Sequence, residues 1–175
     1  MLRLEVMNLK EVIIDIETTG LNPLDKDARV VCIGIKCADY EEVLMSNREE
    51  ALLTKFWGLP FFEGYFRVLG FNCIEFDLYY LLVRTFKYGI RIPDIKGKVI
   101  DLRLVLSYGN RFKNGKLEDY TTLFLGEKGK KKDYSGADVK TLWESGKYEE
   151  LKQYCLYDVL LTYKIYERLK QMEVL

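Results

Sequence analysis

Four carboxylates and a tyrosine lie in three separated segments of this chain. They are Asp15-Ile-Glu17 inside an apolar run, Asn72 to Asp77 after a second apolar run, and Tyr154-x-x-x-Asp158 near the C-terminus. Carboxylate oxygens are hard ligands suited to divalent cations such as Mg²⁺ or Mn²⁺, and a phenol beside them can hold an attacking water. Strand side chains alternate, so Asp15 and Glu17 project from one face while Ile14 and Ile16 occupy the other. Two acids so close repel unless something positive sits between them. Asp77 falls in the first turn of a helix, where the helix dipole favours a carboxylate. Tyr154 and Asp158, four apart, share one helix face. Each motif alone also has an ordinary reading. D-x-E describes two solvated acids on an edge strand, Asn72 or Glu75 a helix cap with Asp77 stabilising the dipole, and Tyr154 a core aromatic with its hydroxyl at the rim.

The elements that must position these residues follow from hydrophobic period and turn signals. Residues 11–18 and 29–38 read as strands rich in Val and Ile, separated by Gly20-Leu21-Asn22-Pro23, and residues 42–46 complete an antiparallel meander. Asn47 is placed to cap a helix running to about Trp57. A strand at 67–71 leads to a helix over 75–88, and 98–102 is a further strand. The remainder, broken at Gly109, Gly115, Gly126, Gly136 and Gly146, reads as helices, of which 147–172 is the clearest. Meander strands followed by alternating strands and helices predict a mixed α/β sheet, part antiparallel and part parallel, with helices on both faces. That is the layout of a ribonuclease-H-like fold. No repeat or linker divides the sequence, so residues 1–175 are expected to form a single domain.

Composition narrows the function. The chain has 175 residues, 49% hydrophobic, with 27 basic and 27 acidic side chains. It contains no histidine, which excludes Ser-His-Asp triads and H-E-x-x-H metalloproteases. Cys32, Cys37, Cys73 and Cys155 form no C-x-x-C pair and read as buried thiols. The neutral total conceals a basic segment, residues 84–132, with 13 Lys/Arg against 5 Asp/Glu. Such a segment beside an acidic constellation suits a polyanion held by its backbone, although a solvated lysine-rich surface has the same composition. Neither a stretch of about 20 apolar residues nor a signal-peptide pattern occurs, so a cytoplasmic protein without membrane contact is expected.

The joint order of the three motifs resembles the DEDDy group of 3′→5′ exonucleases, in the ribonuclease-H-like, DnaQ-like superfamily. The closest likeness is to the proofreading exonuclease domain of family-B DNA polymerases. It is carried by Ile13-Ile-Asp-Ile-Glu-Thr-Thr-Gly20, Leu69-Gly-Phe-Asn-Cys-Ile-Glu-Phe-Asp-Leu-Tyr-Tyr-Leu81 and Tyr154-Cys-Leu-Tyr-Asp-Val-Leu-Leu-Thr162. Between them, Val99-Ile-Asp-Leu102, Leu125-Gly126, Lys132-Asp-Tyr134 and Leu142-Trp-Glu-Ser-Gly146 extend it over nearly the whole chain.

The resemblance implies that Asp15, Glu17, Asp77 and Asp158 bind two Mg²⁺ or Mn²⁺ ions and that Tyr154 orients the attacking water. Histidine replaces this tyrosine in the related subgroup. It further implies substrate contacts from Thr18, Leu21, Asn72, Phe76 and Lys132. Each of these also has a structural reading: Thr18 could satisfy a strand-end amide, Leu21 could be core, and Lys132 sits in a lysine run. Phe76, Tyr79 and Phe112 are the aromatics considered for base stacking. Asp101 is expected near the site without being a ligand. The expected activity is that of a free-standing exonuclease domain removing nucleoside 5′-monophosphates from single-stranded DNA 3′ ends, in DNA repair or replication, with no protein partner specified. Two alternatives stand: a 3′→5′ exoribonuclease of the same fold, and a catalytically silent nucleic-acid-binding or partner-docking module. Retention of all four acids and the tyrosine argues against the silent module. A 2′-hydroxyl contact would decide between RNA and DNA.

Overall fold

A computed structural model describes residues 10–38, 40–112, 115–126 and 134–175. Its centre is a five-stranded sheet in the order β3-β2-β1-β4-β5. The strands are β1 (Lys10–Thr18), β2 (Val30–Cys37), β3 (Tyr40–Met45), β4 (Phe66–Gly70) and β5 (Val99–Asp101). β1, β2 and β3 form the expected antiparallel meander, and β4 and β5 extend it in parallel from β1.

Period-2 alternation in β1 sorts the core. Val12, Ile14 and Ile16 face a cluster built with α1 (Glu49–Trp57) and α2 (Asp77–Lys87), which contribute Leu52, Leu53, Phe56, Leu78 and Leu81. Trp57 Nε1 donates to Thr85 Oγ1 at 2.8 Å and ties these two helices together. Ile13 lies on the opposite face, against Val159, Ile165 and Leu169 of the long helix α6 (Tyr148–Gln171). Helices therefore cover both faces. Three shorter α-helices, α3 (Leu102–Leu106), α4 (Leu117–Leu125) and α5 (Val139–Glu144), and 3-10 turns at Pro60–Phe62 and Gly136–Asp138 are also present among the described residues. All four cysteines are buried free thiols. Among the described residues no helix is long and apolar enough to cross a membrane.

Gly34 lets α6 approach the sheet. It pairs with Asp15 across β1 and β2, and a Cβ there would lie 3.1 Å from Cys155 Sγ and 3.3 Å from Val159 Cβ. Any side chain at this position would push away the helix that carries Tyr154 and Asp158.

Two local expectations are corrected. Asn47 does not cap α1: the cap position belongs to Arg48, whose side chain makes no capping bond, while Ser46 Oγ accepts from the Arg48 amide. α2 starts at Asp77 rather than Glu75, because residues 71–76 form turns held by a carboxylate distant in sequence.

Candidate functional site

The site forms where β1, the β4-to-α2 turn and α6 meet. β4 pairs with β1 from Lys10 to Ile13 only, leaving the Ile16 amide free of the ladder. Asp77, the first residue of α2, takes that amide: its Oδ1 accepts from Ile16 N at 3.0 Å. This bond inserts Asp77 between the backbone positions of Asp15 and Glu17. Asp77 is 5% exposed, and burial, opposed by backbone amides, pushes its carboxyl up to about 7, with Asp101 and Asp158 adding like charge.

α6 supplies the rest. Tyr154 and Asp158 are both buried on its sheet-facing side, as their spacing requires. Burial raises the Tyr154 phenol first, then the nearby charges of Glu17, Asp158 and Asp15, and it hydrogen-bonds the Asp158 carboxylate. The phenol therefore stays protonated and acts as a donor. Asp15, Glu17, Asp77, Tyr154 and Asp158, drawn from three segments distant in sequence, share one electrostatic environment.

The donor set fits a hard divalent cation. Asp15, Glu17 and Cys155 each offer a ligand atom within 4.8 Å of the others. The sulfur is the weakest of these donors: Cys155 is fully buried, burial holds its thiol well above the usual range, and Sγ lies 3.7 Å from the Asp15 carbonyl oxygen it can donate to. A protonated thiol is a poor ligand, whereas carboxylates and a bound water suit Mg²⁺ or Mn²⁺. Excess negative charge around Asp77 is what such a cation would relieve.

Two cavities flank the acids and meet at Gly136. One, of about 470 Å³, is lined by Glu17, Thr18, Leu21, Phe76 and Lys140 among others. The second, of about 320 Å³, is lined by Asp15, Asp158, Phe71, Lys116 and Glu118 among others. Three of the five expected substrate contacts thus gather on one wall. Leu21 is 85% exposed, which removes the reading that placed it in the core. Thr18 is buried and its Oγ1 donates to Gly20 O at 2.8 Å, so its hydroxyl serves the turn. Asn72 lines neither cavity; it adopts a left-handed backbone with φ of 61°, and its buried Oδ1 has no hydrogen-bond partner. Tyr79 and Phe112 are exposed away from both walls, and Lys132 lies outside the described residues.

Asp101 proves to be the organiser of the second motif. Its Oδ1 accepts from the amides of Asn72, Arg103 and Leu104 and its Oδ2 from Ile74, at 3.0–3.4 Å. Both oxygens are thereby occupied by backbone amides. Sequence reasoning missed Lys116, Glu118 and Lys140. Their signal, charged residues in the helices before the last motif, gains meaning only from the packing of α4 and α5 against α6.

Comparison with known proteins places this arrangement. Residues 94–174 match the family described as "Predicted 3′-5′ exonuclease related to the exonuclease domain of PolB". The uncharacterized protein MJ0365 of Methanocaldococcus jannaschii is 40% identical over 147 residues, spanning 81% of this chain and 80% of that one. A DNA polymerase of Archaeoglobus fulgidus is 26% identical over an alignment of 189 residues, which covers 97% of this chain but 24% of the polymerase. The structure of the family B DNA polymerase from Pyrobaculum calidifontis superimposes with a TM-score of 0.78 at 22% identity, over 95% of this chain and 25% of that one. The chain thus spans about a quarter of either polymerase, and its fold is ribonuclease-H-like. Together these matches show that the chain belongs to the family of predicted 3′-5′ exonucleases related to the exonuclease domain of PolB.

Proposed function

We propose that this protein is a metal-dependent 3′→5′ exonuclease that removes nucleoside 5′-monophosphates from single-stranded DNA. The observation that supports this most directly is the convergence of Asp15, Glu17, Asp77 and Asp158 with the Tyr154 phenol in one buried acidic environment. Asp15, Glu17, Asp77 and Asp158 would hold two Mg²⁺ or Mn²⁺ ions, which supply Lewis acidity toward the phosphate and acidify water at neutral pH. Tyr154 stays protonated, donates a hydrogen bond to the Asp158 carboxylate and offers its oxygen lone pair to the attacking water, aligning it with phosphorus. Attack breaks the bond between phosphorus and the 3′ oxygen of the preceding nucleotide, and that oxygen leaves as a hydroxyl. Leu21 and Phe76 present apolar surface to the terminal nucleotide in the larger cavity, a contact that an unpaired, splayed end can make.

The test uses matched 5′-labelled single-stranded DNA and RNA oligonucleotides with Mg²⁺ or Mn²⁺. The expected result is stepwise shortening of DNA, faster than of RNA, and abolished in Asp15→Ala. Faster RNA shortening would reassign the substrate. No shortening of either, or shortening that survives Asp15→Ala, would refute the assignment.

A further inference from the structure

Glu118 occupies the first turn of α4, two residues after the Lys116 cap position, and lines the same cavity as Asp15 and Asp158. Its Oε1 is buried with no hydrogen-bond partner among the described residues. The main-chain carbonyl of Glu118 accepts from Thr121 Oγ1 at 3.2 Å, a bond in which the carboxylate takes no part. A carboxylate oxygen withdrawn from water without a donor is costly. The dipole of α4 favours an acid in its first turn, yet it favours an exposed acid equally and so does not explain the burial. Asp119, one residue on, shows the ordinary arrangement: its Oδ2 accepts from the Lys116 amide at 2.8 Å.

No described residue donates to the buried oxygen, and water entering the cavity with a cation can. Mg²⁺ and related ions keep several waters of hydration when carboxylates hold them, and the protons of those waters need acceptors. We propose that Glu118 is a positioning residue of the acidic site, accepting hydrogen bonds from the hydration water of a divalent cation held by Asp15 and Asp158. This rests on the metal reading above. Groups that act on a metal through its ligands change affinity by about 10–100-fold.

The experiment is a calorimetric Mn²⁺ titration of wild type, Glu118→Leu, Glu118→Gln and Asp15→Asn, with melting curves of each metal-free protein. Mn²⁺ affinity is expected to fall about 10–100-fold in Glu118→Leu and less in Glu118→Gln, whose amide oxygen still accepts. Metal-free Glu118→Leu is expected to melt no lower than wild type, because it loses an unsatisfied oxygen. Equal Mn²⁺ affinity in wild type and Glu118→Leu, with binding lost in Asp15→Asn, would overturn the role of Glu118 alone. A Glu118→Leu melt well below wild type would overturn it in favour of a structural role. Absence of Mn²⁺ binding to wild type, or unchanged binding in Asp15→Asn, would overturn the metal reading and this inference with it.

Discussion

Two clusters of buried charge sit on this sheet, and they are built on opposite principles. At one, Glu49 of α1 meets Arg84 of α2, with Arg84 Nη2 to Glu49 Oε2 at 2.7 Å and Arg84 Nε donating at 2.9 and 3.1 Å. Val30 N and Tyr88 OH also donate to Glu49, and Arg84 Nη1 donates to Pro23 O at 3.1 Å. Each charge meets its opposite, and the network pins the loop that presents Leu21. At the other, the strongest charges acting on Asp77 and Tyr154 are all negative. Charge held in compensation secures a fold, whereas same-sign charge held together is sustained by the fold and invites a ligand. A cavity of about 370 Å³ lies over the Glu49–Arg84 pair, yet it contains none of the acidic motif residues. The larger cavity of about 470 Å³ is the one that Glu17 lines.

That contrast can be broken first at the compensated pair. Arg84→Met strands Glu49 in the interior and should cost about 3–5 kcal/mol of stability, read by urea unfolding, with cleavage per folded molecule retained. A loss under about 1 kcal/mol would mean that the pair secures little. At the acidic cluster, Tyr154→Phe keeps the ring in place and removes the hydroxyl. It should lower kcat roughly a hundredfold, within the range for a group that handles water and protons, while leaving the melting temperature near wild type. A mutant as active as wild type would remove the phenol from the mechanism.

The approach of α6 offers a smaller effect. Gly34→Ala inserts a methyl 3.1 Å from Cys155 Sγ and should cost about 1–3 kcal/mol, as overpacking does, while displacing Tyr154 and Asp158 from Asp15. Unchanged stability and activity would show that α6 has room to spare. The smallest effect is a slope with pH. Asp77 has a folded pKa of about 7, above its unfolded value, so its contribution to stability is fully present below the unfolded pKa. It is lost as pH rises through the folded pKa. The metal-free protein should therefore lose stability between about pH 4 and pH 7, and Asp77→Asn should flatten that decline. The same slope in wild type and mutant would assign the pH dependence elsewhere.

How much was legible beforehand follows from the range of the interactions. The D-x-E pair on one strand face, the meander and the shared face of Tyr154 and Asp158 all rest on periods of 2 and 3.6, which are local properties of a sequence. The start of α2 was misplaced because Asp101 seizes the Asn72 and Ile74 amides across 27–29 residues, a bond with no local signature. Asn47 matched a capping preference, yet Ser46 served the adjacent amide instead. Glu118 and Lys116 were overlooked because α4 reaches Asp15 only through its packing beside α6. Leu21 is exposed two residues before Pro23, whose carbonyl accepts from buried Arg84, again a pairing of distant segments.

Joint action of the clustered acids on the 3′ end of a nucleic acid strand is tested most directly by product analysis. Wild type and Asp158→Asn are incubated with a single-stranded DNA oligonucleotide and Mn²⁺, and the released material is identified by mass. Nucleoside 5′-monophosphates lost successively from the 3′ end by wild type, with release by Asp158→Asn reduced about a thousandfold or about 4 kcal/mol in barrier, is the predicted result. Internal fragments, 3′-monophosphates or equal release by both proteins would contradict it.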